Sequence, residues 1–511
     1  MTNRYAYLWL VVAMGVWNTL CFILPDFFDS PTDGWRSVLT VILYVCALGI
    51  GQIAIASLLA LHRYIAALCL PLYAVLGGVI SYYRVAFHAT VNPALVDATL
   101  HTNMGTVSGV TSWQLIVWVV FQLLVSLLWV RWRWRIEKVP QAWVILIGSI
   151  GLFAAWYWGN GRLHKSAAQR YPMHVIRSVG EYVSLQRASN LPRQIPKVQA
   201  TATTDSLDII MIIGEAARAD HLSLNGYPRE TCPRLAARHN VVSLPHIFSQ
   251  HTHTAASVPH ILSPADSLHP ELANTSHSFI ACLRQQGYTS AWISNQDYGR
   301  TYAPFIYEAD TILFPNASKT VFVFHPWYDL DLLPALQNLI KEQTETHRLY
   351  VLHTIGSHWF YNNHVPESCI RFQPTVTNRV ITQNDSMAVI NSYDNTIVSM
   401  DLFVDSVISL FKDRNAILFY LSDHGESLGE RGNWLHAAGA KETKYPAAFV
   451  WYSEKYARTF PDKVAALKEN RTKHFRTDYL FYSLLSAAGL QADGNNSSFD
   501  LFIRKSAAKN P

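Results

Sequence analysis

Five stretches of this chain are apolar and long enough to cross a bilayer, and they constrain its fold more than any other feature. They run at 6–25 (AYLWLVVAMGVWNTLCFILP), 38–61, 64–83, 111–130 (TSWQLIVWVVFQLLVSLLWV) and 142–159 (AWVILIGSIGLFAAWYWG). Each approaches the roughly 20 residues that a helix needs to span the hydrocarbon layer. The first lacks a small-residue cleavage site and four more follow, so it reads as an uncleaved anchor rather than a signal peptide. Trp and Tyr gather near the segment ends, as in interfacial belts. The alternative, buried core helices of a large soluble protein, fits one such segment better than five.

Basic residues orient the spans. Arg131, Arg133, Arg135 and Lys138 lie between the fourth and fifth, Arg63 between the second and third, and Arg4 before the first. The first loop, DFFDSPTDGWR, is mostly acidic. The N-terminus and the second and fourth loops are therefore expected in the cytoplasm. An odd number of spans then puts everything after residue 160 outside, in the periplasm of a bacterial inner-membrane protein. Only 15% of the residues are charged and 50% are hydrophobic, an excess concentrated in the first 160. No basic stripe with interleaved aromatics occurs, so nucleic acid is not an expected partner. Cys21, Cys46 and Cys69 fall in the spans. Cys232, Cys282 and Cys369 fall in the outer part, where at most one disulfide can form.

Residues 161–205 are polar and broken by Pro172, Pro192 and Pro196. They read as a linker, with a helix around YPMHVIRSVGEYVSL that is either interfacial or an ordinary solvated helix. From 206 short apolar runs alternate with helix-like stretches: DIIMIIGE, SAWISNQ, RLYVLHTIG, AILFYLSDHG and AAFVWYS. This pattern predicts βαβ units and a doubly wound, mostly parallel α/β domain over 206–511. The expected architecture is thus an α-helical transmembrane domain of five spans at 1–160, the linker, and that domain.

Polar residues gather where the runs end, at the strand termini where open α/β sheets build sites. Glu215 ends one run, and Asp423 and His424 end another. His353 and His358 lie in and after a third. Two carboxylates plus an imidazole suit zinc or manganese, although a strand-end Asp also serves as a turn former or cap. HTHTAASVPH (251–260) places Thr252 and Thr254 just before a helix start. A hydroxyl there is either a plain N-cap or a nucleophile close to phosphate-binding backbone N–H groups.

GEAARADHLSLNGYPRETCPRL, THTAASVPH, NSYDNTIVSMDLFVDSVI and YLSDHGESLGERG together resemble the motif set of the bacterial phosphoethanolamine transferases, membrane enzymes of the alkaline phosphatase/sulfatase superfamily. That family includes lipid A-modifying, polymyxin-resistance enzymes and enzymes acting on inner-core heptose of lipopolysaccharide. The resemblance implies a zinc held by Glu215, Asp423, His424 and the hydroxyl of Thr254, with Thr254 as nucleophile. It implies that His358 and His436 contact the phosphoryl group or a second zinc. It places Asn295 and Gln296, with His353, near the substrate, and the segment NPALVDATLHTNMGT (92–106) at the lipid donor. Where the lipid A enzymes brace the nucleophile loop with a disulfide, this chain has Gln250 and His260.

The implied reaction moves phosphoethanolamine from phosphatidylethanolamine, a membrane lipid, to lipid A or an inner-core sugar through a phosphothreonine, in a monomer. The alternatives are a phosphoglycerol transferase acting on periplasmic glucans and a catalytically inactive membrane sensor or scaffold. The Cys-Pro in TCPRL does not give the Cys/Ser-x-Pro-x-Arg of a sulfatase.

Overall fold

The computed structural model describes residues 3–28, 34–87, 91, 93, 96, 113–137, 139, 142–159, 161–189, 192–299, 301–317, 326–378, 381–436, 440–495 and 500–504. They form two compact units, one reaching to Val183 and the other starting at Ser184.

The first unit contains five helices long and apolar enough to cross a membrane, at Asn3–Phe27, Trp35–Leu59, Arg63–Val85, Trp113–Trp134 and Ala142–Gly159. The first begins as α1 (Asn3–Asn18), widens into a π turn, Thr19–Ile23, and then tightens into a 3-10 turn, Leu24–Phe27. We number the next four α2 (Trp35–Leu59), α3 (Arg63–Phe87), α4 (Trp113–Trp134) and α5 (Ala142–Gly159). Their outward faces are apolar: Leu68, Leu72, Leu128 and Ile147 are at least 60% exposed. A soluble protein does not display such a face; hydrocarbon is the solvent it suits. Inside, small residues allow close packing. A Cβ on Gly15 would stand 2.3 Å from Ile53 Cγ1, so α1 approaches α2 only because that position is glycine.

Two buried polar side chains of this unit show how a dry interior is satisfied. Gln52 accepts from Tyr73 Oη at 2.7 Å and donates to the Tyr171 carbonyl at 3.0 Å. Buried Arg133, in the last turn of α4, donates to the carbonyls of Ala60, Leu61 and Ile136 at 2.6–3.1 Å, satisfying the C-terminal end of α2. After α5 come α6 (Gly161–Ala168) and α7 (Met173–Ser189). Met173, Ile176, Val179 and Val183 lie on one face of α7 and are 41–63% exposed. Apart from Pro93 and Val96, the segment 92–106 lies outside the described residues.

The second unit is built on a seven-stranded sheet. In chain order its strands and their small partners are β1 (Val198–Ala200), β2 (Leu207–Gly214), β3 (Val241–Ser243), β4 (Ile247–Phe248), β5 (Thr289–Ser294), β6 (Thr311–Leu313), β7 (His347–His353), β8 (Ala416–Ser422), β9 (Ser427–Leu428), β10 (Trp434–Leu435), β11 (Ala448–Tyr452), β12 (Phe475–Arg476) and β13 (Leu490–Ala492). The sheet order is β3-β11-β8-β2-β7-β5-β6. From β8 to β6 all pairs are parallel, whereas β11 runs antiparallel to both β8 and β3. The run AAFVWYS thus supplies an antiparallel strand to an otherwise parallel sheet, a common mixed arrangement. Central β2 and β8 are buried at every position, which explains their unbroken apolar runs.

α8 (Thr254–Leu262) and α9 (Ser386–Phe411) matter most for the site. The Asp385 side chain caps α9 by accepting from Met387 N at 2.8 Å. Val389, Tyr393, Ile397, Met400, Val404 and Ile408 recur at helical spacing and enter the core beside Ile210, Ile212 and Leu418. Cys232, Cys282 and Cys369 are buried, and all six cysteines are free thiols.

Candidate functional site

Parallel pairing fixes the site's foundation. Ile213 pairs with both Leu421 and His353, and Gly214 pairs with Ser422. Glu215 and Asp423, each the next residue, therefore emerge side by side from adjacent strands. The turn after β2 is held tightly. Ala216 N donates to Asp423 Oδ1 at 3.2 Å, Ala217 N to Ser422 Oγ at 2.8 Å, and Arg218 N to Tyr393 Oη at 2.9 Å. These bonds hold Ala216 at φ +56°, a left-handed conformation costing roughly 1–2 kcal/mol for a residue with a Cβ. Gly356, at φ +48°, lies so close that a Cβ would stand 2.8 Å from the Glu215 carbonyl. Only glycine lets the loop after β7 close over Glu215.

Four of the residues expected at a metal come together here. Thr254 opens α8, and its Oγ1 donates to Glu215 Oε2 at 2.9 Å. The other oxygen, Oε1, faces His424 Nε2 at 3.4 Å, and Asp423 Oδ2 lies 3.5 Å from the same nitrogen. His424 Nδ1 donates to the Gly425 carbonyl at 2.7 Å, which fixes Nε2 as the inward, unprotonated atom of the neutral ring. Gln296 Nε2 also donates to Glu215 Oε2, at 3.0 Å, and to the Thr354 carbonyl at 3.2 Å. One carboxylate oxygen is thus held by the threonine and the glutamine, and the other is turned toward the imidazole.

His436 stacks on His424 with ring centroids 4.5 Å apart, and its Nδ1 lies 3.4 Å from Glu426 Oε1. His358 Nδ1 meets the Trp359 carbonyl at 2.6 Å, leaving Nε2 as the basic atom of that ring. Two further residues expected at the substrate are enclosed. His353 has no exposed surface and lies between the edges of Trp292 and Tyr302, at 5.6 and 5.4 Å; it is packed, not presented. The Asn295 amide donates to Asp329 and to the Tyr328 carbonyl, and its oxygen accepts from Asn316, so its polar atoms serve the protein. His353 is level with Ser294 across the β5–β7 pair, so Asn295, one residue on, stands on the other face of the sheet.

Electrostatics mark the same corner. Burial opposes the charge on Glu215, but the His424 imidazole prevails and holds the carboxyl well below its usual range. Burial and the charge of Glu215 push Asp423 up to about 7. Burial opposes charge on His424, yet Asp423 and Glu215 raise it to about 10. Burial drives Glu426 upward, and Glu426 in turn raises His436 against the ring's own desolvation. Three buried carboxylates around two imidazoles form a site that calls for positive charge.

Glu215 Oε1, Asp423 Oδ2, His424 Nε2, both oxygens of Glu426 and His436 Nδ1 are buried without a hydrogen-bond partner among the described residues. Buried polar atoms are ordinarily satisfied. So many orphans aimed at one space fit a metal ion, and ligand atoms of Glu215, His424 and His436 lie within 4.8 Å of one another. The donor set, carboxylate oxygens with imidazole nitrogens, suits zinc. Glu426 and Arg218 escaped the sequence reading. Glu426 stands three residues after Asp423 in the same glycine-flanked turn, a signal that was available. Arg218 donates to Asp220, to Glu430 and to the Glu426 carbonyl, tying the first motif to that turn; nothing in its sequence context announces this.

Comparison with known proteins agrees with this picture. The sulfatase family signature matches residues 208–490, and that of phosphoethanolamine transferase EptA/EptB matches 50–187. The chain is 33% identical to phosphoethanolamine transferase EptA of Escherichia coli K12 over 68% of its own length and 66% of that relative's. It resembles the integral membrane lipooligosaccharide phosphoethanolamine transferase A of Neisseria meningitidis with a TM-score of 0.55 at 22% identity, covering 96% of this chain and 98% of that one. The periplasmic domain of Escherichia coli EptC, in complex with Zn, gives a TM-score of 0.55 at 23% identity, covering 61% of this chain and 90% of that one.

Proposed function

The chain belongs to the phosphoethanolamine transferase family of sulfatase fold, and on that premise we propose that it moves phosphoethanolamine from phosphatidylethanolamine to a lipopolysaccharide acceptor, lipid A or an inner-core sugar. The five spans anchor it in a bacterial inner membrane. The domain after residue 206 works in the periplasm, with the apolar face of α7 resting on the lipid surface.

The observation that carries this reading is the bridging carboxylate of Glu215. Its Oε2 accepts from Thr254 Oγ1 at 2.9 Å, while its Oε1 joins the cluster of orphaned metal-type donors. Glu215, Asp423, His424 and Thr254 would hold a zinc ion, with Glu426 and His436 as ligands for a second. Zinc, when bound, supplies positive charge that favours an ionised threonine hydroxyl and offsets charge on phosphoryl oxygens.

Thr254 Oγ1 attacks the phosphorus of the donor. The bond from phosphorus to the diacylglycerol oxygen breaks, diacylglycerol leaves with a proton, and phosphoethanolamine remains on Thr254. Gln296 keeps Glu215 turned so that it receives the threonine hydrogen bond. The acceptor oxygen then attacks the same phosphorus and loses its proton to His358 Nε2, the bond from phosphorus to Thr254 Oγ1 breaks, and Oγ1 takes up a proton, restoring Thr254. Intact-mass measurement after incubation with phosphatidylethanolamine tests the scheme. Wild type gains one phosphoethanolamine and Thr254→Ala gains none; an unchanged adduct on the variant refutes the assignment. Donors labelled in ethanolamine or in glycerol distinguish this transfer from phosphoglycerol transfer.

A further inference from the structure

The helix that carries Thr254 buries Val258, Ile261 and Leu262, but the chain entering it has little backbone pairing. β4, which leads to it, pairs with β12 over two residues only, Ile247↔Phe475 and Phe248↔Arg476. No disulfide crosses the region, since every cysteine is free. One guanidinium reaches both ends of the helix instead. Arg476 Nη2 donates to Gln250 Oε1 at 2.6 Å, four positions before Thr254. Its Nη1 donates to Ser267 Oγ at 3.2 Å, five positions beyond Leu262, where α8 ends.

The opposite edge of the fork is fixed. Nε and Nη2 donate to the two oxygens of Asp478 at 3.0 and 2.7 Å, and Asp478 is 3% exposed. A bidentate pair with a buried carboxylate immobilises the guanidinium plane, so its remaining donors point in set directions. Between the two anchored ends the His251 and His260 rings lie 4.1 Å apart. Ser249 closes the loop from below, donating from N to the Lys444 carbonyl at 2.8 Å and from Oγ to the His251 carbonyl at 2.7 Å.

We propose that Arg476 is a positioning residue that clamps the entry and exit of the nucleophile helix and so sets where Thr254 Oγ1 stands against Glu215. The inference rests on Thr254 as the nucleophile. Arg476 itself touches none of the metal-type donors described above, so its loss leaves their ligand set intact.

The test uses the full chain in detergent micelles and two readouts. In Arg476→Ala, amide hydrogen exchange across residues 249–256 should rise about tenfold while β2 and β8 keep their protection. Single-turnover labelling of Thr254 by phosphatidylethanolamine should slow about 10- to 100-fold at unchanged zinc content, because small misplacements of a reacting group carry such penalties. Arg476→Lys should behave like the alanine variant, since an ammonium cannot span Gln250, Ser267 and Asp478 together. Gln250→Ala, which deletes one bond only, should shift both readouts the same way by less. Wild-type exchange at 249–256 in both alanine variants overturns the clamp, as does loss of protection spread over the whole sheet. A wild type that never labels defeats the nucleophile assignment, while the exchange measurement still decides the clamp.

Discussion

The metal-type corner and Thr254, the proposed nucleophile, meet at 2.9 Å, yet they are held in opposite ways. Glu215, Asp423 and His424 stand on the ends of adjacent central strands, where seven consecutive register pairs join β2 to β8. Backbone geometry alone puts them together. Thr254 stands on a nine-residue helix whose entry is bonded by Arg476, itself paired with Asp478. The lesson is a division of labour: the proposed ligands come from the ends of central strands, and the proposed reacting hydroxyl from a helix whose entry and exit are bonded by side chains.

The contrast can be broken at its strong side first. Glu215→Ala removes a ligand and the partner of Thr254 together, so zinc affinity and adduct formation should both fall at least about 100-fold. Dialysis equilibrium and intact mass measure the two; loss of the adduct at full zinc content would show that the corner does not work as one unit. Next in size, Gln296→Leu frees Glu215 Oε2 without touching a ligand. Adduct formation should slow about tenfold, by the loss of one charge-assisted hydrogen bond, with zinc still bound.

A smaller effect is pH dependence. His424 is raised to about 10, so at neutral pH it carries a proton that a metal must displace. Zinc affinity should therefore rise with pH through the neutral range and level off above about 10; titration calorimetry at several pH values would show the slope, and a flat profile would mean that His424 is not a ligand. Smallest is a control far from both regions. Asp385→Ala removes the cap of α9 and should lower stability by about 1 kcal/mol in a denaturant melt, with labelling of Thr254 unchanged.

The same division explains what could be read from sequence. The spans announce themselves because hydrocarbon leaves no other choice of side chain. Glu215, Asp423 and His424 were visible because an apolar run ending in a carboxylate is a strand delivering a charge to a sheet edge. His353 and Asn295 close similar runs, and which face of the sheet each takes is a one-residue matter invisible in composition. The antiparallel direction of β11 was equally hidden, since a buried strand has the same pattern either way. Gln250 and Arg476 are 226 positions apart. Neither carries a local pattern that marks the pair, and only the fold makes them neighbours.

The buried thiols have a practical consequence. With Cys232, Cys282 and Cys369 reduced and enclosed, the outer domain reaches its final shape without any oxidation step. A cell lacking its thiol oxidases would still make the domain in working form.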